Sequence, residues 1–586
     1  MCMTRFQGSY PVICEQIAFH DRFNSLPPTI QKKIEELYSV YRTDVAPILL
    51  KNLDLIKSVF EGEVFKPSDA HAFRMGMLFI LQCRDNASTD EVLMRANTDV
   101  AYQYVLVSSS NNTRPVISRA YYCLFLHCLA RYDKKHDFCL MEKIFTDFTD
   151  AAASEMGINL HQDLGDILRT RIDSMLIDTP AEHLTRAGII YRTNAMCLDL
   201  IASLEGLVKI PDPLRHYLDD SDENAVIYHN QGEKKVEKLQ GLLNDSLEIE
   251  KLLKGYEDFE EYCLLERMMS DQGIIVEEPE IQASEDGQDS RQIKDGQNSQ
   301  DHKVKKTITP KADKKIEGNS MQSPLYPFGT CRKKYGYQIG DACCFTEATN
   351  GKGGNILIEV LYDNNIRSDD DFMLEHLRRK DPNGPMEVCS CDAGFFSMNT
   401  THAAEEVMAI IVPSALKGTL PKPLMADFEM DSTGQAILRC PAGHAPIPGM
   451  QRYNPETRVV TAKFDKCTCE ACELAGQCPA NPQVRAFTVD VSQAKIDLAS
   501  YVVAVDSEEY KDYACFRNGI ESVPSVMRRM YGFDTLRSMN VSLRKEKIFG
   551  SGINYNVKKL TAFRLERDRS KNSKGQDCPK ESKKIA

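Results

Sequence analysis

The sequence lacks the long apolar runs of a membrane protein. None of its apolar stretches reaches the roughly 18 residues that a helix needs to cross a bilayer. The first residues, Met-Cys-Met-Thr-Arg-Phe-Gln-Gly, are not followed by the apolar segment of a secretion signal. Gly-x-Ser-x-Gly and His-Glu-x-x-His motifs are absent as well, so hydrolases of those kinds have no support. We therefore expect a cytoplasmic protein without a membrane partner.

Acidic and basic residues are unevenly distributed along the chain. The 586 residues have a net charge of -13, which argues mildly against nucleic-acid binding. Residues 521–586, however, contain 16 Lys and Arg against 7 Asp and Glu, a net charge of +9, which leaves -22 for the other 520 residues. A basic end suits contacts with phosphate groups, although a solvated tail would have the same composition.

Strand and helix patterns alternate as they do in α/β proteins. Helical patterns dominate the N-terminal part of the chain and residues 180–275. The strand and helix patterns of the presumed core cover residues 167–177 (strand), 335–362 (hairpin), 369–379 (helix), 386–391 (strand) and 409–412 (strand). The glycine-rich group at 350–354 is predicted to be the hairpin turn, because it lacks the spacing of a Walker phosphate loop.

Three carboxylates stand at the edges of these elements. Asp173 lies within a strand pattern, and Asp392 follows an apolar strand and precedes Ala393-Gly394, a small pair that allows close approach. Glu521 begins an amphipathic helix pattern, so it could also serve only the helix dipole. Two aspartates and a later glutamate can together hold a pair of divalent cations for attack on a phosphodiester.

Two arginines flank Glu521. Arg517 stands four residues before it and Arg528 seven residues after it, on about the same helical face. A carboxylate between two guanidiniums suits a face that meets both metal and phosphate. A structural ion-pair face would have the same residues, so the pattern alone leaves both interpretations open.

The segments around the three carboxylates resemble bacterial insertion-sequence transposases of the DDE type. The matching segments are ILRTRIDSML around Asp173, EVCSCDAGFFS around Asp392 and FRNGIESVPSVMRRMYGFDTLR around Glu521. The segment DAHAFRMGMLFILQCRDNASTDEVLMRANTDVAYQYVL is similar to the family's helical N-terminal domain, which is associated with binding of transposon ends.

The third segment is similar to the family's Tyr-x2-Arg-x3-Glu-x6-Lys signature. Arg517 and Glu521 match it, and Arg528 stands at the lysine position. Ala514 stands at the tyrosine position, with Tyr513 next to it. This departure concerns the role of the tyrosine and not that of the carboxylate.

The resemblance implies both a fold and a mechanism. It implies an α/β ribonuclease-H-like catalytic core with Asp173 on the first strand, Asp392 after the fourth and Glu521 on a later helix. These three residues would be catalytic and would bind two Mg²⁺ ions, while Arg517 and Arg528 would contact DNA. The protein would cleave double-stranded DNA at the ends of an insertion element and join them to a target. We expect a homodimer, because two ends must be handled together.

A group of cysteines suits a second, structural metal. A Cys-x2-Cys pair with two further thiols fits tetrahedral zinc, and thiolates select zinc over Mg²⁺. The preferred ligand set is Cys440, Cys469, Cys472 and Cys478. Cys467 or His444 could replace one member, and reduced cysteines in a loop are the alternative interpretation. The resembling transposases have a related cysteine-containing insertion between the second Asp and the Glu.

These interpretations divide the chain into seven parts. They are a helical N-terminal DNA-binding domain (1–160), ribonuclease-H-like core strands (165–180 and 322–425), a helical insertion (181–276), a disordered linker (277–321), a Cys-rich zinc insertion (426–485), the end of the catalytic core with the Glu521 helix (486–565) and a basic disordered tail (566–586).

Two other functions stay open at this point. A catalytically inactive, transposase-derived DNA-binding protein is suggested by Ala514 and by the unusual linker. A metal-dependent nuclease without strand transfer would have the same carboxylates and would differ only in its products.

Overall fold

The N-terminal region is built from helices. The computed structural model describes residues 23–107, 116–162, 165–204, 207–219, 222–228, 233–279, 304–333, 336–536 and 538–574. The N-terminal helices are α1 (Pro28–Val40), α2 (Ala46–Lys51), α3 (Leu53–Ser58), α4 (Asp69–Asp85), α5 (Thr89–Thr98), α6 (Val100–Leu106), α7 (Arg119–His136) and α8 (Leu140–Glu155), with a π-helical turn at Tyr41–Val45. Serine side chains accept hydrogen bonds at the starts of α4, α5 and α7. Within the described residues, no helix is both long and apolar enough to cross a membrane.

A helical insertion follows the first strand, β1 (Ile167–Asp178). Its helices are α9 (Arg186–Ser203), α10 (Asp222–Tyr228), α11 (Glu233–Leu252) and α12 (Glu260–Gln272), with a 3-10 segment at Asp212–Leu218. Side chains of these helices, including Ile190, Leu243 and Met268, form a hydrophobic core of their own. The insertion is therefore a separately packed helical unit.

The predicted disordered linker over 277–321 is wrong at both ends. Strands β2 (Gly273–Pro279) and β3 (Val304–Pro310) form an antiparallel pair. Although β3 is rich in polar residues, its Ile308 is buried in the core of the helical insertion together with Met321. Burial of these two side chains orders the segment. Residues 280–303 of the predicted linker lie outside the described residues.

A mixed six-stranded sheet forms the centre of the molecule. Its remaining strands are β4 (Thr330–Lys333), β5 (Tyr337–Thr349), β6 (Asn355–Asn364), β7 (Met386–Cys391) and β8 (Ala409–Pro413), and helices α13 (Asp369–Arg379) and α14 (Met398–Glu406) lie between them in the chain. β1 pairs in antiparallel fashion with β5 and in parallel with β7, and β7 pairs in parallel with β8. β4 and β6 both pair with β5 in antiparallel fashion. The predicted hairpin is present, with the glycine-rich group between β5 and β6.

The Cys-rich unit extends beyond its predicted end at residue 485. It contains β9 (Glu429–Met430), β10 (Ile437–Arg439), β11 (Gln451–Asn454), β12 (Val459–Asp465), α15 (Lys466–Glu470), β13 (Asn481–Pro482) and β14 (Ala486–Val491), followed by α16 (Gln493–Val505). β14 pairs with β12 along six residue pairs, and Ile496 and Ala499 of α16 belong to the unit's hydrophobic core. The boundary was misplaced because strand pairing is not visible in local composition.

The last helix connects the N-terminal region with the sheet. The C-terminal elements are α17 (Glu508–Arg517), a 3-10 segment (Asn518–Glu521), α18 (Ser522–Tyr531), a 3-10 segment (Phe533–Thr535) and α19 (Val541–Lys574). Phe549 and Ile553 of α19 share one core with Phe145 of α8 and Val360 of β6. The predicted disordered tail from residue 566 is wrong as far as Lys574, because α19 continues to that residue. Residues 575–586 lie outside the described residues.

Candidate active site

Of the two predicted aspartates, Asp173 lies on β1 and Asp392 directly follows its parallel neighbour β7. β1 and β7 are in register as far as Arg171 and Ser390, and Asp173 and Asp392 each stand two residues further along. Beyond this pair the strands part, and β7 ends at Cys391. Because the carboxyl ends of parallel strands meet at one edge of a sheet, the fold brings these two carboxylates to the same edge.

One guanidinium contacts all three predicted carboxylates. Arg517 Nη2 lies 3.5 Å from Asp173 Oδ2 and 3.3 Å from Asp392 Oδ2. Arg517 Nη1 lies 2.7 Å from Glu521 Oε1. The structure therefore places Asp173, Asp392 and Glu521 around Arg517, although the first and last of them are far apart in the sequence.

Local chain geometry directs Arg517 towards the aspartates. Helix α17 ends at Arg517, and the 3-10 segment that follows keeps Glu521 within reach of its guanidinium. Gly519 is needed inside this segment, because any Cβ there would collide with the guanidinium of Arg171. Arg171 donates a hydrogen bond of 3.1 Å to the carbonyl oxygen of Phe516 and thereby ties α17 to β1.

The site opens from a buried base towards solvent. The side chains of Arg517 and Asp173 are 10% and 17% exposed, respectively. Those of Asp392 and Glu521 are 51% and 64% exposed. A ligand that approaches from solvent can therefore reach Asp392 and Glu521 directly, and it meets Asp173 deeper in the site.

Burial changes the acidity of Asp173. Loss of solvent raises the pKa of Asp173 to about 6, against the opposing effects of the Arg517 guanidinium and the Ser174 backbone N–H. The negative charges of Asp392 and Asp369 raise the pKa further. The site thus has an excess of negative charge that its single guanidinium does not neutralise.

Comparison with known protein families gives one match, which covers part of the chain. Residues 439–561 match the family model described as Transposase DDE domain. This part of the chain is similar to transposase DDE domains. The resemblance to DDE transposases is confirmed. No curated protein and no solved structure matches the chain.

The family match covers only part of the site. It includes Arg517, Glu521 and Arg528, and it ends within α19. Asp173 and Asp392 lie before the matched residues, so their place beside Glu521 rests on the structure. A transposase DDE domain indicates an enzyme that cuts and joins DNA and that generally uses a divalent metal such as Mg²⁺.

A fourth carboxylate, which the sequence did not suggest, lies beside the three predicted ones. Asp369 is the first residue of α13 and accepts a hydrogen bond of 2.7 Å from Ser174 Oγ. Its sequence signal is the run Asp369-Asp370-Asp371 after Ser368. That run is equally suited to starting a helix, since acidic residues stabilise a helix N-terminus, and so it did not stand out.

The two arginines of the DDE signature have different surroundings. Arg517 is buried against the aspartates. Arg528 is 44% exposed and lies 3.1 Å from Asp534, away from the three carboxylates. They do not share one helical face, because the 3-10 segment separates α17 from α18.

Tyr513 occupies a defined place near the candidate site. The guanidinium of Arg169 lies over its ring, 4.4 Å from the centroid, and Tyr513 also packs against the cluster of Val388, Val412 and Tyr510. Tyr513 thus joins α17 to β1 and β7. Ala514, at the signature's tyrosine position, has no comparable contact.

The four preferred cysteines of the DDE domain line one small cavity. Cys440, Cys469, Cys472 and Cys478 surround it together with His444. Burial, followed by the nearby Cys478, Cys440 and Cys472, raises the pKa of the Cys469 thiol to about 11. Cys467 is exposed and does not line the cavity.

The closest group of possible metal ligands lies elsewhere. In the described part of the chain, only His376, Glu387 and Cys389 have their ligand atoms all within 4.8 Å of one another. Both ring nitrogens of His376 already have partners: Nδ1 lies 2.7 Å from Glu359 and Nε2 lies 3.0 Å from Glu387. Burial opposes the charged ring, but these two carboxylates outweigh it and raise the pKa of His376 well above its ordinary value. A protonated imidazole between two carboxylates accounts for this group without a metal.

Proposed function

We propose that this protein is a DDE transposase that cleaves DNA at the ends of a bacterial insertion element and joins those ends to target DNA. The observation that supports this best is the convergence of Asp173, Asp392 and Glu521 on Arg517. The family match over 439–561 is a second and independent support, because it was made without the two aspartates.

The three carboxylates fit two Mg²⁺ ions. Three negative charges surround one guanidinium, and oxygen atoms are the ligands that Mg²⁺ prefers. The Nε of Arg517 is buried and has no hydrogen-bond partner within the described residues, so the carboxylates are the main contacts of this guanidinium. When bound in such a site, a pair of Mg²⁺ ions activates the attacking oxygen and stabilises the leaving oxygen of a phosphodiester. Arg517 is then placed to turn from the carboxylates to a DNA phosphate.

The central sheet supports a ribonuclease-H-like core. Three parallel strands, β1, β7 and β8, continue on one side into the antiparallel strands β5 and β6. Asp173 lies on the first strand of this sheet, and Asp392 follows β7, which is the fifth strand of the sheet in chain order and becomes the fourth, as the resemblance implies, only when the four-residue β4 is left out. Glu521 reaches the same edge from the later 3-10 segment.

The cysteine cavity supports a structural zinc ion. Cys440, Cys469, Cys472 and Cys478 come from three different segments and meet at a cavity whose other walls are mostly apolar, including Phe464. Burial and the three neighbouring thiols raise the pKa of Cys469, and a bound cation would oppose this by stabilising its thiolate. Zinc would therefore hold the DDE domain's Cys-rich unit together without taking part in cleavage.

DNA contacts and assembly complete the proposal. Arg528 lies partly exposed on α18, the helix that follows Glu521, and can contact a phosphate group. The N-terminal helices would bind the element ends. Two protomers would act together as a homodimer in the bacterial cytoplasm, because an element has two ends.

The decisive experiment is an excision assay in bacterial cells. The gene's native flanking DNA is placed around a marker, the protein is supplied separately, and the new junctions are sequenced. Asp173→Ala, Asp392→Ala and Glu521→Ala should each reduce excision by roughly a hundredfold or more, because each removes a ligand of the cations. Glu508→Ala is the matched control, since Glu508 is an exposed carboxylate in the first turn of α17.

Each possible outcome has a defined meaning. Junctions that depend on the three carboxylates but not on Glu508 would support the transposase. Binding of the flanking DNA without any cleavage would instead support the inactive DNA-binding protein. Cleaved ends that are never joined to a target would support the nuclease.

A further inference from the structure

We propose that Asp369 is a positioning residue of the catalytic site, acting on Asp173 and Asp392 through Ser174 and Gly394 and raising the affinity of the site for divalent cations. This inference rests on the proposed function and adds a fourth carboxylate to its three.

The first link joins Asp369 to Asp173. Ser174 Oγ donates a hydrogen bond of 2.7 Å to Asp369 Oδ1. The backbone N–H of the same Ser174 donates a hydrogen bond of 2.9 Å to Asp173 Oδ1. A single residue of β1 therefore connects the two carboxylates, and a shift of Asp369 would move the residue that orients Asp173.

The second link joins Asp369 to the loop of Asp392. A Cβ on Gly394 would lie only 2.5 Å from Asp369 Oδ2, so glycine is needed for this close approach. Gly394 lies in the turn that begins at Asp392, which the Phe395 N–H closes with a bond of 3.0 Å to the Asp392 carbonyl oxygen. Asp369 thus packs against the segments that hold both catalytic aspartates.

The third observation is the charge of Asp369. In the described part of the chain, no Lys, Arg or His forms an ion pair with it. Its neighbour Asp371, by contrast, is engaged in the capping box with Ser368. Asp369 therefore adds a negative charge without a cationic partner close to Asp173, to which it is connected through Ser174. Added negative charge strengthens the attraction of the site for divalent cations.

Helix α13 fixes the position of Asp369. Phe372, Met373 and Leu377 are buried in the core on this face of the sheet. Further along the helix, the ring of His376 contacts Glu359 of β6 and Glu387 of β7. Because the helix is anchored to two strands, Asp369 is held by the fold and not by a loose loop, as a positioning residue requires.

The test uses the full-length protein and separates charge from hydrogen bonding. Asp369→Asn removes the charge but leaves an oxygen that can accept from Ser174. Ser174→Ala removes the hydrogen bond but leaves the charge. Glu375→Gln is the matched control, because it removes a carboxylate from the same helix where Glu375 pairs with Arg378 and Arg379. Binding of Mn²⁺ without DNA is measured by electron paramagnetic resonance, and DNA cleavage is measured over a range of Mg²⁺ concentrations.

We expect Asp369→Asn to weaken Mn²⁺ binding about 10- to 100-fold, the usual effect of losing a residue that supports metal ligands. The Mg²⁺ concentration for half-maximal cleavage should rise in proportion, while the rate at saturating Mg²⁺ stays close to that of the unmodified protein. Ser174→Ala should show a smaller shift in the same direction, and Glu375→Gln should show none.

Two results would overturn the inference in different ways. The first result is that Asp369→Asn leaves Mn²⁺ binding and Mg²⁺ dependence unchanged, or lowers the saturating cleavage rate without changing the Mg²⁺ midpoint. Asp369 would then only start helix α13, and the proposed function would stand. An unmodified protein that neither binds Mn²⁺ nor cleaves DNA would remove the proposed function and this inference together.

Discussion

Arg517 and Arg528 belong to one sequence signature, but their side chains have different physical environments. Arg517 is buried and neutralises part of the charge of three carboxylates. Arg528 is partly exposed and pairs with Asp534. An exposed pair of this kind contributes little to stability, whereas a buried cation among carboxylates cannot be removed without cost. Their substitutions should therefore have different effects.

Arg517→Gln should destabilise the protein most when divalent cations are absent. The variant leaves three carboxylates around an uncharged side chain, so we expect the free energy of unfolding to fall by about 1–3 kcal/mol. Added Mg²⁺ should then raise the melting temperature of the variant by more than that of the unmodified protein, because the cations take over the missing positive charge. Thermal melts with and without MgCl₂ measure this, and an equal response of both proteins would contradict it.

Arg528→Gln should affect DNA binding and leave the fold unchanged. We expect its free energy of unfolding to stay within about 0.5 kcal/mol of the original value. The affinity for DNA should fall, and the slope of log affinity against log salt concentration should decrease by about 1, the effect of losing one phosphate contact. An unchanged salt slope would show that Arg528 does not contact phosphate.

At the scale of elements, α19 is attached to the sheet by a buried ion pair. Arg544 Nη2 lies 2.7 Å from Asp341 Oδ2 of β5, and both side chains are fully buried. The hydroxyl groups of Tyr326 and Tyr362 donate to the same carboxylate oxygen, at 2.7 Å and 2.9 Å. The ion pair and the two hydrogen bonds thereby fix the position of α19 on β5, the strand that pairs with β1.

Arg544→Met should be one of the most destabilising single changes in the chain. It leaves Asp341 buried without a cation, which costs about 3–5 kcal/mol. The double variant Arg544→Met with Asp341→Leu should recover much of that loss, because no unpaired charge remains. Urea denaturation of the three proteins measures the difference, and equal stability of the single and double variants would rule out this explanation.

The Cys-rich unit is a second element whose stability depends on a few side chains. Its sheet is small, and four cysteines meet at one cavity beside it. A unit of this size has a limited apolar core, so a structural metal would supply much of its stability.

Cys469→Ser combined with Cys472→Ser should lower both zinc content and stability. We expect zinc near one equivalent in the unmodified protein and close to none in the double variant, with a lower melting temperature. Cys467→Ser is the matched control, because Cys467 is exposed and does not line the cavity. Metal analysis by mass spectrometry decides the matter, and zinc loss in the control would move Cys467 into the ligand set.

At the scale of the whole molecule, two helical regions are attached in different ways. The insertion between β1 and β4 has its own hydrophobic core. The N-terminal helices instead share one core with β6, α18 and α19. Gly552 of α19 shows how close this packing is, since a Cβ there would lie 3.1 Å from the ring of Phe145. The N-terminal region thus packs as one body with the elements that carry the candidate site.

Removal of residues 1–160 should therefore unfold the catalytic region. The truncated chain would expose the apolar face of α19 and the adjacent sheet, a loss that a domain of marginal stability does not tolerate. Circular dichroism melts and binding of a hydrophobic dye measure this. Residues 184–321 expressed alone are the comparison, and they should melt cooperatively because their core is complete. A cooperative melt of the truncated chain would contradict the shared core.

The sequence by itself determined most of the local elements and predicted the principal candidate site residues. The strand of Asp173, the strand before Asp392 and the helix over 369–379 follow from apolar periodicity, and this information is contained within a few neighbouring residues. The signature spacing likewise singled out Arg517 and Glu521, and the Cys-x2-Cys pair singled out the thiols that line one cavity.

Only the tertiary structure decided which of these residues meet. Contacts between Asp173, Asp392 and Arg517 depend on the pairing of β1 with β7 and on the packing of α17 against them, which are long-range interactions. Asp369 was missed for the same reason. In the sequence it is only an acidic residue in the first turn of a helix, and its contact with Ser174 exists only in the folded sheet. The extent of the Cys-rich unit and the ordering of Ile308 also depend on partners distant in the chain. Local sequence patterns do not specify contacts between distant residues, and so only the folded structure brings the candidate site together.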